Sequence, residues 1–219
     1  MNASEMTWVS GWASDISIWE DEIYKRFPFS HRFVDYWDLI SDCPDNFWDN
    51  NPRIAESQTI VGWSMATLAL LRNLHKKPAG QKWILICPIA DFCGNGCWQP
   101  SAVKATKRGI LENTEQTLSN FSALMGDIPK GEMEKWIENA MRYSPEQLTI
   151  GLDYLIEKKA DFAEISGNNL NIELIFGKED RIVPLAQREL FAPLLAQIGV
   201  QVTIRESLGH WLPNYIVYS

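Results

Sequence analysis

A doubly wound α/β domain, with a mostly parallel sheet of about six strands and a helical insertion, is the fold class this sequence predicts. Three observations carry the expectation. Short apolar runs alternate with helix-forming stretches towards both ends of the chain. Two of these runs, Trp83-Ile84-Leu85-Ile86-Cys87 and Ile172-Glu173-Leu174-Ile175-Phe176, have the character of strands buried on both faces. Between them, from 90 to 163, no strand-like run occurs, so that stretch reads as a helical cap inserted into a core of 1–89 and 164–219.

The elements follow in order. Met6-Thr7-Trp8-Val9-Ser10 is a strand ending at Gly11, and 16–24 an amphipathic helix with Ile16, Trp19, Ile23 and Tyr24 on one face. Residues 32–36 form a second strand. The stretch 43–51, rich in Asp, Asn, Pro and Trp, reads as a surface loop, and 52–57 as a short helix. Gln58-Thr59-Ile60-Val61 is a strand that runs into a helix over 66–72. In the insertion, 103–125, 131–143 and 145–158 read as helices. A helix over 185–198 and a last strand over 200–204 complete the pattern. Right-handed crossovers place all strand C-termini at one edge of such a sheet.

Composition narrows the classes of function. The chain has 219 residues, long enough for one domain with a sizeable core. A net charge of -8 argues against nucleic acid or an anionic membrane surface as the main partner. No apolar run reaches transmembrane length, and the first six residues lack the basic start and apolar stretch of a secretory signal. A cytoplasmic location is expected, and a monomer. Cys43, Cys87, Cys93 and Cys97 lack the paired spacing of a zinc site and are expected as reduced thiols, with a Cys93–Cys97 redox pair as the alternative.

Ser64 stands where the 58–61 strand turns into its helix. On such a sharp turn Oγ projects from the sheet edge, and the helix N-terminus stabilises nearby negative charge. Small residues are needed two before and two after, and Gly62 and Ala66 supply them. The same pattern also fits a tight strand–helix turn with a buried serine. A serine hydroxyl needs a base, and the base needs an orienting acid. Asp180 follows the 172–176 strand and His210 the last strand, both at the edge where Ser64 lies. Asp180 also reads as a loop acid or helix cap. His31 precedes a strand and His75 ends the elbow helix, so neither competes with His210. Two backbone N–H groups, of Met65 and of Trp12 in the loop after the first strand, are placed to hold an oxyanion.

These residues together resemble the α/β-hydrolase superfamily over nearly the full chain. Ser10-Gly11-Trp12 with Trp19, Gly62-Trp63-Ser64-Met65, the 177–184 segment and Gly209-His210 resemble the carboxylesterases that hydrolyse pimeloyl-acyl-carrier-protein methyl ester in biotin synthesis. Two positions depart from that pattern: Ser10 stands where histidine is common, and Ala66 where glycine is common. The resemblance implies a serine esterase with no metal or organic cofactor, acting on an acyl chain borne by a carrier protein. Under it, Trp12, Trp98 and Phe121 are candidate substrate contacts and Leu124 and Trp136 further channel candidates, although the apolar cap residues read more readily as ordinary helix packing, with one or two facing the pocket. Lys104, Lys107 and Arg108 are candidate carrier contacts, although they read equally as a solvated helix face. A thioesterase or short-chain esterase on the same triad, or a non-catalytic binding protein of this fold, are the rival readings.

Overall fold

The computed structural model describes residues 5–41, 46–94, 98–126, 128–163 and 169–217. Strands β1 (Glu5–Val9), β2 (Ser30–Val34), β3 (Thr59–Trp63), β4 (Lys82–Ile86), β5 (Ile172–Gly177) and β6 (Val200–Arg205) form one sheet in the order β2-β1-β3-β4-β5-β6. Every pairing is parallel. The chain runs outward from β1 to β2, then returns past β1 to β3 and proceeds to β6. The reversal makes a switch point between β1 and β3, where diverging loops open a crevice at the strand C-termini.

Alternation along the strands sorts their side chains between two helical layers. Trp8, Val61, Ile84 and Ile86 line one face together with Phe27 and Ile216. These last two belong to the ends of α1 (Glu20–Arg26) and of the C-terminal helix, and the two helices touch. Between these come α2 (Tyr36–Ile40), α3 (Phe47–Asn50), α4 (Pro52–Glu56) and α5 (Met65–Arg72). Residues Met65 to Leu71 of α5 are all buried. That helix is apolar all round because it lies between sheet and neighbours rather than on the surface. Eight of the ten tryptophans are buried, so the high count builds core rather than surface.

Among its described residues, the insertion holds four helices, α6 (Pro100–Glu112), α7 (Thr114–Ser122), α8 (Lys130–Ala140) and α9 (Pro145–Glu157). At its base Ala160 N–H donates to Ala90 O (2.7 Å), beside an Asp91–Lys159 bridge. After β5 come α10 (Ala192–Leu195), then β6 and α11 (Leu212–Val217).

Several expectations need correction. The single helix over 103–125 is two, because Asn113 leaves helical geometry (φ -156°) and its side chain caps α7 through Gln116 N–H. The helix over 185–198 is a 3₁₀ segment, Leu185–Phe191, followed by one α-turn with Pro193 inside it. The 16–24 helix is likewise 3₁₀ over Ile16–Trp19 before α1 begins, and Tyr24 is exposed rather than on the buried face. The second strand ends at Val34, since Asp35 caps α2 by accepting from Asp38 N–H. Where a surface loop was expected, Phe47 and Trp48 are buried in α3: two large aromatics outweigh the polar residues around them. Cys43 and Cys97 lie outside the described residues, while Cys87 is buried and Cys93 half-buried.

Among the described residues, no helix is long and apolar enough to cross a membrane.

Candidate active site

Ser64 occupies a backbone region that L-residues rarely adopt, with φ 56° and ψ -123°. Surrounding bonds hold it there. Its N–H donates to Ile86 O (2.9 Å), and its carbonyl accepts from the Thr67 N–H (2.9 Å) and hydroxyl (2.6 Å). Gly62 lets α5 close on β3, since a Cβ there would lie 2.5 Å from Leu70 Cδ1. Ala66 is fully buried, so a methyl group fits where the resemblance led us to expect glycine.

Asp180 and His210 arrive from the loops after β5 and β6. With its proton on Nδ1, His210 donates to Asp180 Oδ2 (2.8 Å). Nε2 is then free to accept from the Ser64 hydroxyl (2.9 Å). The other carboxylate oxygen, Oδ1, accepts from Ile182 and Val183 N–H, both at 2.8 Å. The loop therefore wraps its own acid, and the orientation of Asp180 is set before His210 is met. His210 is held by its backbone as well: its N–H donates to Met125 O (2.7 Å) and its carbonyl accepts from Trp63 Nε1 (3.1 Å). Ser64, Asp180 and His210 are all buried. In this arrangement the imidazole can take the serine proton, and the buried carboxylate can stabilise the resulting cation.

Met65 is the first residue of α5, so its N–H has no intrahelical acceptor. Trp12 lies on the loop after β1. A Cβ on the preceding Gly11 would stand 3.0 Å from Ser64 Cβ and 3.1 Å from Trp63 O, so only glycine lets this loop approach so closely. Ser10, at the position where the resemblance favours histidine, is fully buried and its Oγ accepts from Ile16 N–H (2.9 Å). A hydroxyl thus braces the loop that a ring would otherwise brace.

A cavity of ≈ 70 Å³ opens onto Ser64, walled by Trp12, Trp98, Phe121, Leu124 and apolar residues of α6 and α9. Trp98 and Phe121, candidate substrate contacts, are part of this wall. Trp136 packs as an ordinary helix residue: it is fully buried and its Nε1 donates to Ser14 Oγ (2.9 Å). Val103 and Thr106 on α6, and Leu152 and Leu155 on α9, line the cavity as well and do not stand out in the sequence. Their i, i+3 spacing was visible, but which helix face turns towards Ser64 was not.

The insertion is stitched to the loop after β1. Trp12 Nε1 donates to Leu148 O (2.9 Å), and Asn139 Oδ1 accepts from Asp15 N–H (3.1 Å). The Tyr36 hydroxyl enters the backbone ladder of α9, donating to Gln147 O (2.7 Å) and accepting from Gly151 N–H (3.0 Å). Of the candidate carrier contacts, Lys104 and Arg108 are exposed, whereas Lys107 forms an ion pair with Asp153 of α9.

Cys87 Sγ, an Asp180 oxygen and a His210 nitrogen all lie within 4.8 Å of one another, the one such cluster with metal-ligand chemistry among the described residues. Its donors are already committed. Asp180 and His210 bond each other, and burial, then the Asp180 charge, push the Cys87 thiol well above its ordinary pKa, so it stays protonated. This donor set suits a hydrogen-bond network rather than a metal.

No protein-family model matches the sequence, and no curated protein matches it significantly. Solved structures do match. An esterase (EaEST) from Exiguobacterium antarcticum superposes with TM-score 0.78 at 12% identity, covering 98% of this chain and 91% of that one. A bromoperoxidase from Bacillus anthracis gives TM-score 0.78 at 15% identity, covering 99% and 88%. MGS-M2, an alpha/beta hydrolase enzyme from a Medee basin deep-sea metagenome library, gives TM-score 0.63 at 13% identity, covering 100% and 88%. At such identities the likeness is one of architecture, and the architecture, a six-stranded parallel sheet flanked by helices, is the α/β-hydrolase fold.

Proposed function

We propose that this protein is a serine carboxylesterase. One observation carries the reading: a buried Asp180–His210–Ser64 hydrogen-bond chain ends at the floor of an apolar cavity. Ser64 Oγ attacks the ester carbonyl carbon while His210 Nε2 takes its proton. The Met65 and Trp12 N–H groups receive the developing oxyanion. As the tetrahedral intermediate collapses, the C–O bond to the alcohol breaks and His210 returns the proton to the leaving oxygen. Water then attacks the acyl-enzyme with His210 as base, releasing the acid and restoring Ser64.

For the substrate, the Trp12 and Trp63 segments favour the methyl ester of a pimeloyl chain on an acyl carrier protein. The cavity, at ≈ 70 Å³, takes about five water-sized groups, enough for a methyl ester and the first carbons beyond it. The rest of the chain then leaves through the mouth, with exposed Lys104 and Arg108 on α6 meeting the acidic carrier. The small cavity favours a second reading, a short-chain esterase with no carrier.

Hydrolysis of pimeloyl-carrier methyl ester, beside p-nitrophenyl esters of graded length, by wild type and Ser64→Ala tests all of this. Demethylation lost in Ser64→Ala supports the carrier substrate. Turnover of short p-nitrophenyl esters alone supports the second reading. No turnover of either class removes the esterase proposal and favours a binding protein of this fold.

A further inference from the structure

We infer that Tyr215 of α11, backed by Cys87, is a positioning residue that sets the His210 loop for the reaction proposed above. The inference rests on the esterase reading for its functional meaning and on geometry for its substance. The Tyr215 hydroxyl donates to Gly209 O (2.8 Å), the carbonyl immediately before His210. On its other side it accepts from Cys87 Sγ (3.4 Å). Thus a chain of thiol, phenol and carbonyl joins the end of β4 to the backbone that carries the histidine.

The surroundings are shaped for that phenol. A Cβ on Gly177, at the end of β5, would fall 2.3 Å from the Tyr215 oxygen and 2.4 Å from Leu208 O. Glycine there is what lets the tyrosine tip and the His210 loop share the space. Cys87 holds φ 50°, a conformation that glycine adopts without strain and other residues do not. A side chain kept at a strained position, aimed at a neighbouring polar group, indicates that the side chain itself is used. Both groups are buried, so water does not substitute for either. Burial first, then nearby Cys87, raises the Tyr215 pKa, and the phenol remains a donor across the working pH range.

The ionisable groups that meet Tyr215 are Cys87 just past β4, Asp180 from the β5 loop and Arg205 of β6. Without the hydroxyl, the Gly209 carbonyl loses its donor, and the backbone that carries His210 loses one of its fixings. The Nδ1–H bond to Asp180 then loosens. Without the thiol, the phenol keeps Gly209 but loses its own donor, a smaller change of the same kind.

The test is the low-field proton NMR signal of the His210 Nδ1–H in wild type, Tyr215→Phe and Cys87→Ala, with Tm and ester kinetics alongside. Tyr215→Phe is expected to move that signal upfield and to lower kcat about tenfold with KM within about twofold. Cys87→Ala is expected to move it less, in the same direction, with Cys87→Ser restoring it. An unchanged signal in Tyr215→Phe overturns the inference, even if Tm falls, because packing alone then accounts for the residue. Should that variant not fold, an unchanged signal in Cys87→Ala overturns it instead. Absence of ester turnover in wild type sinks the esterase reading separately, since the signal does not depend on turnover.

Discussion

The strand ends and the inserted helices build their halves of the site differently. At the strand ends, backbone groups fix the polar side chains' own segments: Asp180 is held by Ile182 and Val183 just after it, and Ser64 by Thr67 and by Ile86 at the end of the neighbouring strand. The insertion offers side chains from separate helices, Val103 and Thr106 of α6 against Leu152 and Leu155 of α9, brought together by tertiary packing and the Lys107–Asp153 ion pair. Its attachment comes from long-range bonds such as Trp12 to Leu148 and Tyr36 to Gln147. The lesson is a division of labour. Backbone geometry at the strand ends positions chemistry, and the packing of distant helices decides what fits.

That division breaks first at the acid. Asp180→Asn keeps the shape but removes the charge behind the imidazole and favours the wrong tautomer. We expect kcat to fall about 10⁴-fold with little change in the chain-length preference for esters. Steady-state kinetics over the p-nitrophenyl series checks both, and a shifted preference would contradict the division.

The wall is tested at Trp98, which lines the cavity and donates through Nε1 to Ile182 O (2.7 Å). Trp98→Ala should move the preferred acyl length upward while retaining the triad, at a stability cost of about 2–4 kcal/mol by denaturant unfolding. Unchanged length preference in a folded variant would show that the wall does not select.

The join between the halves is Gly151. A Cβ there would lie 2.5 Å from the Tyr36 hydroxyl and 2.8 Å from Trp12 Cδ1. Gly151→Ala should push α9 from the loop after β1, costing about 1–3 kcal/mol and raising KM more than it lowers kcat. An equal fall in kcat and kcat/KM would place the damage in the oxyanion loop instead.

The smallest effect lies away from both halves. Burial lowers the Lys77 pKa from 10.5 to about 8, near the Trp83 ring. The unfolded chain therefore binds the proton more tightly. Stability from this group is lowest below pH 8 and rises as pH climbs from about 8 towards 10.5. Lys77→Met should flatten that rise and leave ester kinetics unchanged, as Tm across pH 7–11 would show.

Much of the core was legible because its signals are local. Strand runs, the small residues flanking Ser64, and the order of Ser64, Asp180 and His210 along the chain all follow from residue type and near spacing. The break at Asn113 was less visible, since an asparagine within a helix-forming run becomes a cap only where the following helix takes a new direction. The partner of Trp136 was hidden for a similar reason. The indole N–H found Ser14, 122 residues away, and no local pattern specifies such a partner. Sequence alone determined the sheet, the elbow and which residues could carry a proton. Tertiary structure decided which helix faces form the cavity, that Lys107 is spent on Asp153, and that Tyr215 and Cys87 stand behind His210. The physical reason is range: hydrogen bonds and hydrophobic periodicity within an element are written in neighbouring residues, whereas packing between elements is settled only when the whole chain closes on itself.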